Sequence, residues 1–221
     1  MFDDISPKYD FLNHFLSFGI DHRWRKKLVK ILGIRQPSTV LDVATGTGDL
    51  AISIASLSPQ KITGIDISEK MLEVGRRKIT AMGLTRMITL QRADAENIPF
   101  SDDSFEAITV AFGVRNYENL ELGLREMCRV LCPGGVMLIL EFSHPAFFPI
   151  KQLYGIYSRF VIPVMGRLIS GNRKAYTYLP DSVATFPSGR TFLDILEKQG
   201  LKNTKQVSLS MGIAAIYVAE K

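Results

Sequence analysis

The stretch Val40-Leu41-Asp42-Val43-Ala44-Thr45-Gly46-Thr47-Gly48-Asp49 decides the fold. Residues 39–43 read as a buried strand, two glycines interrupt the run, and a helix follows over about 49–57. Glycines permit tight turning and close approach of the backbone to a ligand, and a helix N-terminus offers N–H groups without intrahelical partners. Strand, glycine turn and helix together predict a nucleotide-like ligand at the end of the first strand.

Working outward, the same rhythm repeats. Residues 61–65 form a second strand, and Ser68 caps a helix with Met71, Leu72, Gly75 and Ile79 on one face. Strands follow at 87–92 and 105–111. A helix over about 120–131 is expected to stop at Pro133-Gly134-Gly135 through a left-handed residue, ahead of a strand at 136–141. A helix at 188–199 precedes strands at 204–209 and 213–219, which close as a hairpin around Met211-Gly212. This alternation predicts a doubly wound, mostly parallel seven-stranded α/β sheet with right-handed crossovers.

One domain, 1–221, is expected in four zones. Two N-terminal helices occupy 1–36, the first carrying Phe11, Leu12, Phe15 and Leu16, and a cofactor-binding core occupies 37–142. A helical cap over the substrate site takes 143–187, with Pro163 ending or kinking its helix, and the closing helix and hairpin take 188–221.

Composition narrows the class. Hydrophobic residues at 46% and charged residues at 22% are ordinary for a soluble domain. The net charge of +5 comes from short clusters such as His22-Arg23-Trp24-Arg25-Lys26-Lys27 rather than a basic stripe, which argues against nucleic acid as a partner. No apolar run reaches the ~20 residues that span a bilayer. The acidic start, Met1-Phe2-Asp3-Asp4, reads as no signal peptide, so the expected place is the cytoplasm, with peripheral contact at the inner face of a bacterial membrane. The abrupt start also leaves a missing N-terminal extension open. Cys128 and Cys132 form a lone pair without the further ligands zinc needs, so they read as reduced thiols and no metal is expected.

The ligand is ambiguous at first. Gly46-Thr47-Gly48-Asp49-Leu50-Ala51 satisfies the dinucleotide fingerprint, and Asp66 lies where a ribose-binding acid would stand. A nicotinamide- or flavin-dependent oxidoreductase fits that much. Asp42 and Asp49 argue against it. A carboxylate at Asp42, inside the strand, can face the ammonium of a methionine moiety, and Asp49 would repel a pyrophosphate, unless it only caps the helix. S-adenosylmethionine has no phosphate and carries a sulfonium cation, so it tolerates these acids. Asp94 can accept from an adenine amine while the Ala95 N–H donates to the ring nitrogen beside it; a solvated turn acid is the plainer reading of Asp94 alone.

Several motifs then add a resemblance. The segments 42–49, Ala93-Asp94-Ala95-Glu96, Ile98-Pro99-Phe100 and Arg129-Val130-Leu131-Cys132-Pro133-Gly134-Gly135 resemble the class I methyltransferase motifs in order. Phe112-Gly113-Val114-Arg115-Asn116 is similar to a signature of the quinone C-methyltransferases of menaquinone and ubiquinone biosynthesis. Tyr9-Asp10, Asn13, His22-Arg23-Trp24-Arg25, Leu140-Glu141-Phe142-Ser143 and Met211-Gly212-Ile213-Ala214-Ala215 extend the likeness over nearly the whole chain. Ala44 stands where the wider superfamily has a glycine, and Ala111 where some members have a serine that contacts the cofactor.

The resemblance implies S-adenosyl-L-methionine as cofactor, with Thr47, Asp66, Asp94 and Ala95 in cofactor-binding positions beside Asp42, Gly46 and Gly48. It implies C-methylation of a prenylated quinol, with demethylmenaquinol favoured and a polyprenyl-methoxy-benzoquinol as the alternative. Arg115 is the candidate for stabilising a phenolate, with Asn116 orienting it; the competing reading pairs Arg115 structurally with an acid. His22 and His144 are the alternative bases. Within 147–178 an apolar cover and prenyl tunnel are expected, and Lys151, Arg159, Arg167, Arg173 and Lys174 are placed to meet anionic lipid. A homodimer and a non-catalytic binder both remain open from the sequence.

Overall fold

Strands buried on both faces need apolar residues pointing both ways, and the middle of the chain supplies them. The computed structural model describes residues 19–143, 145, 152 and 182–221. The expected first helix with Phe11 to Leu16, His144, and residues 146–151 and 153–181 of the cap, with Pro163 and its five basic residues, lie outside the described residues.

The elements in order are α1 (Ile20–Leu32), β1 (Thr39–Val43), α2 (Asp49–Ile54), β2 (Lys61–Asp66), α3 (Glu69–Ala81), β3 (Ile88–Arg92), β4 (Phe105–Ala111) and α4 (Leu120–Val130). Then come β5 (Leu131–Phe142), α5 (Arg190–Lys198), β6 (Lys202–Leu209) and β7 (Ala214–Glu220). The Ser68 cap is present: its hydroxyl accepts from the Met71 N–H at 3.3 Å, and Met71, Leu72, Gly75 and Ile79 are the buried face of α3.

The sheet has seven strands in the order β3-β2-β1-β4-β5-β7-β6. The first five are mutually parallel, while β7 runs antiparallel between β5 and β6. The expected closing hairpin is therefore present, with its last strand tucked inward, which the run Ala-Ala-Ile-Tyr-Val-Ala, buried throughout, requires. A dinucleotide fold continues in parallel at this edge. Alternate residues serve opposite faces: Val40, Leu138 and Ile216 pack with α1, α2 and α3, while Leu41, Ile139 and Tyr217 pack with α4 and α5.

One boundary differs from expectation. The helix before Pro133-Gly134-Gly135 ends at Val130, and Leu131 is already extended (φ −77°, ψ 131°). Leu131 is completely buried and pairs with Phe105 of β4, so packing draws it into the sheet ahead of the glycines. The left-handed residue is Gly134 (φ 77°), inside the register shift between β4 and β5. Cys128 and Cys132 are free thiols, half-buried, facing the Gln199 and Asp103 carbonyls. No described helix is long and apolar enough to cross a membrane. The described residues hold no cluster of three or more His, Cys, Asp or Glu placed for a metal ion.

Candidate active site

The strand order reverses between β1 and β4, and a cavity of about 270 Å³ opens beyond their carboxyl ends, where this architecture holds ligands. Its shape begins with the turn after β1. Ala44, Gly46 and Gly48 all have positive φ, of 52°, 58° and 80°. Ala44 therefore takes a left-handed conformation that disfavours a Cβ, at the position where glycine is usual in the wider superfamily. Its methyl is accommodated because Gly113, after β4, has no side chain: a Cβ there would stand 2.6 Å from that of Ala44. The loops that face each other across the cavity are thus packed backbone to backbone.

Asp66, at the end of β2, ties the turn down. Its Oδ2 accepts from Gly46 N–H at 2.8 Å and its Oδ1 from Ser68 N–H at 2.9 Å. Asp94 sits in a tight turn in which Oδ1 accepts from Glu96 N–H at 2.9 Å, and the Ala95 N–H makes no hydrogen bond among the described residues. Arg129 holds this loop from behind, donating to the Ile98 and Phe100 carbonyls at 2.8 and 2.7 Å. The Arg129 motif noticed in the sequence is therefore a brace for the Asp94 turn.

Asp42 lies at the cavity floor without solvent exposure, and its two oxygens accept from the Thr45 and Thr109 hydroxyls at 2.6 and 2.7 Å. Burial pushes its carboxyl up to about 6, against the opposing pull of those two hydroxyls and of Arg25. Thr47 and Asp49 also line the cavity, and both contact Lys78 Nζ at 2.9 Å. The helix-capping reading of Asp49 gives way, since Gly48 is the N-cap and Asp49 is engaged with Lys78.

Asp42, Gly46, Thr47, Asp66, Asp94, Ala95 and Asn116 are all brought to this cavity; Gly48 shapes the turn behind it. Arg115 is not in the lining. Its guanidinium lies under the turn after β4, donating from Nη1 to Glu141 Oε1 at 2.8 Å and to the Phe112 carbonyl at 2.6 Å. Both side chains of that ion pair are buried, which is the structural pairing weighed against the phenolate role. Burial raises the Glu141 carboxyl, with Arg115 opposing. His22 is exposed on α1 and is absent from the cavity lining. The sequence reading missed Arg25, Phe112 and Tyr117, which all line the cavity. Arg25 sits in a basic cluster in the sequence, and only the docking of α1 puts it with Trp24 on the buried face.

Among the described residues the lining carries six acids (Asp42, Asp49, Asp66, Asp94, Glu96 and Glu118) and one basic residue, Arg25. Such a cavity repels a diphosphate and suits a cation. With the Ala95 N–H making no hydrogen bond among the described residues, beside Asp94, the lining fits S-adenosylmethionine, a sulfonium cation without phosphate.

The family comparison agrees. The model of the ubiE/COQ5 methyltransferase family matches residues 1–221. The chain belongs to that family. Similar proteins include a demethylmenaquinone methyltransferase of Bacteroides fragilis, 46% identical over the whole of this chain and 91% of that one. Another is the ubiquinone/menaquinone biosynthesis C-methyltransferase UbiE of Geotalea daltonii, 50% identical over the whole of this chain and 94% of that one. Among solved structures, a SAM-dependent methyltransferase of Thermotoga maritima matches all of both chains with TM-score 0.66 at 21% identity. One from Methanococcus maripaludis matches all of this chain and 94% of its own with TM-score 0.69 at 18% identity. These two carry the fold alone. This ubiE/COQ5 member is therefore a methyltransferase, and a nicotinamide enzyme is not favoured.

Proposed function

We propose that this methyltransferase uses S-adenosylmethionine to methylate a ring carbon of a reduced prenylated quinone, converting demethylmenaquinol to menaquinol. What carries the reading is the acidic cavity at the strand-order reversal in a chain 46% identical, end to end, to a relative named for that reaction. The cofactor supplies an electrophilic methyl on a sulfonium sulfur. In the transfer a ring carbon bonds to the methyl, the S–CH₃ electron pair passes to sulfur, and the same carbon loses its proton.

The chain's own groups align and polarise. Asp66 and the Asp94–Ala95 turn fix the nucleoside end, so the methyl is presented in one direction. Asn116 faces the cavity from the turn after β4, on the side opposite Asp66, and orients the acceptor's hydroxyl oxygen. Arg115 holds that turn through the Phe112 carbonyl, with its charge paired to Glu141, so it positions Asn116 rather than touching the acceptor. The test compares acceptors: product analysis with reduced demethylmenaquinol and with a polyprenyl-methoxy-benzoquinol. Turnover of the naphthoquinol at the higher kcat/KM supports the reading; preference for the benzoquinol moves the acceptor to the alternative.

A prenyl tail partitions into lipid, so we also assign a peripheral membrane contact to Lys151, Arg159, Arg167, Arg173 and Lys174. Replacing them with glutamine should weaken binding to anionic liposomes, and unchanged partitioning would dismiss the contact.

A further inference from the structure

We propose that Arg25 binds the α-carboxylate of the cofactor's methionine moiety, opposite Asp42, which faces the ammonium. The starting observation is a cation in an unusual place. Arg25 projects from the buried face of α1 and is 8% exposed, yet it lines the cavity. Among the described residues its hydrogen bonding is only partly used: Nη1 donates to Asp21, while Nε is buried with no partner. A buried donor without an acceptor is costly, and it is retained where a ligand completes it.

Its surroundings select the ligand's chemistry. The guanidinium carbon lies 5.8 Å from the centroid of the Phe112 ring, which fixes its plane at the cavity wall. Its charge acts on Asp42, partly opposing the rise that burial imposes on that carboxyl. A carboxylate and a guanidinium lining the same, otherwise acidic cavity match a zwitterion, whose ammonium and carboxylate are carried on a single carbon. The remaining charges match the rest of the cofactor: acids at Asp66 and Asp94 for hydroxyls and an amine, and, among the described residues, no second cation in the lining that could hold an anion. Planar donation from two nitrogens is also what guanidinium offers a carboxylate.

The inference rests on S-adenosylmethionine being the cofactor, and the experiment separates the two. Calorimetric titration compares S-adenosylmethionine with its decarboxylated analogue, which keeps the sulfonium and ammonium, on wild type and on Arg25→Gln. Because Arg25→Gln also removes the Asp21–Arg25 ion pair, the double variant Asp21→Asn/Arg25→Gln is titrated as well, with its fold checked by circular dichroism. Wild type should prefer the carboxylate-bearing ligand by roughly tenfold or more, the size of one charge-assisted contact. Both variants should lose that preference, binding the two ligands about equally, while Arg25→Lys keeps part of it. Equal weakening of both ligands with the preference intact would overturn the proposal and leave Arg25 a packing residue. An intact preference with a raised KM for the quinol would overturn it in favour of acceptor binding. Wild type that binds neither ligand would sink the cofactor assignment itself.

Discussion

The two walls of the cavity are built on different physical principles. On the β1–β2 wall, the Asp66 carboxylate at the end of β2 accepts from the Gly46 N–H after β1 and from the Ser68 N–H just beyond β2 itself, and positive-φ residues give the chain room to turn. On the β4 wall, the turn that carries Asn116 is held by a buried ion pair, Arg115–Glu141, and by Phe112 packed against Phe142 with centroids 4.7 Å apart. The first wall is local and made of backbone; the second is long-range and made of side chains. Damage to the first should therefore appear as lost cofactor affinity, and damage to the second as lost stability.

The largest expected effect tests the second wall. Glu141→Ala leaves the Arg115 guanidinium buried without that carboxylate, and urea denaturation should show a loss of about 3–5 kcal/mol. Asp66→Ala, on the first wall, should cost far less stability and reduce S-adenosylmethionine affinity by on the order of a hundredfold, two hydrogen bonds' worth. If the two variants behave alike, the division between the walls fails.

Next in size is the place where the walls touch. Gly113→Ala brings a methyl to 2.6 Å from the Ala44 Cβ, an overpacking that should cost roughly 1–3 kcal/mol. Ala44→Gly removes both that clash and the left-handed strain, so the double variant should recover most of the loss. A purely additive double-mutant cycle would show that the two loops do not meet as described.

Asp42 sharpens the comparison through pH. Its folded value of about 6 lies above the ordinary carboxyl value of 3.8, so the folded state holds the proton more tightly than the unfolded chain does. Its contribution to stability is therefore fully present below 3.8 and lost as pH rises through about 6. Cofactor affinity should run the other way, falling as pH drops below about 6 and the carboxylate facing the ammonium is neutralised. Asp42→Asn should raise the Tm of the cofactor-free protein at neutral pH and flatten the pH dependence of binding; a Tm that falls would contradict the account. The smallest effect is expected at Lys78–Asp49, a partly exposed pair, where Lys78→Ala should change stability by less than about 1 kcal/mol.

The same contrast explains what could be read from the chain. The β1 turn, Asp66 and the Asp94 turn were legible because glycine spacing and strand–helix alternation are local signals. The inward β7 was legible only as half of a hairpin, since its insertion beside β5 depends on burial across the sheet. Leu131 was taken for helix because its pairing with Phe105 lies 26 residues away in sequence. Arg25 was missed for a related reason: a basic cluster looks solvated until α1 is docked and Trp24 turns inward, placing its indole N–H 2.9 Å from the Ser210 hydroxyl. The Arg115–Glu141 pair was foreseen as an alternative, but only tertiary packing names the partner.

The most direct test of the central claim follows the methyl group. Wild type is given S-adenosylmethionine labelled on its methyl with reduced demethylmenaquinol, and the product is read by NMR. Label should appear on a ring carbon of menaquinol, with transfer sharply reduced in Asn116→Ala, whose side chain lines the cavity. Label on a quinol oxygen, or no transfer by a protein that still binds the cofactor, would contradict the claim.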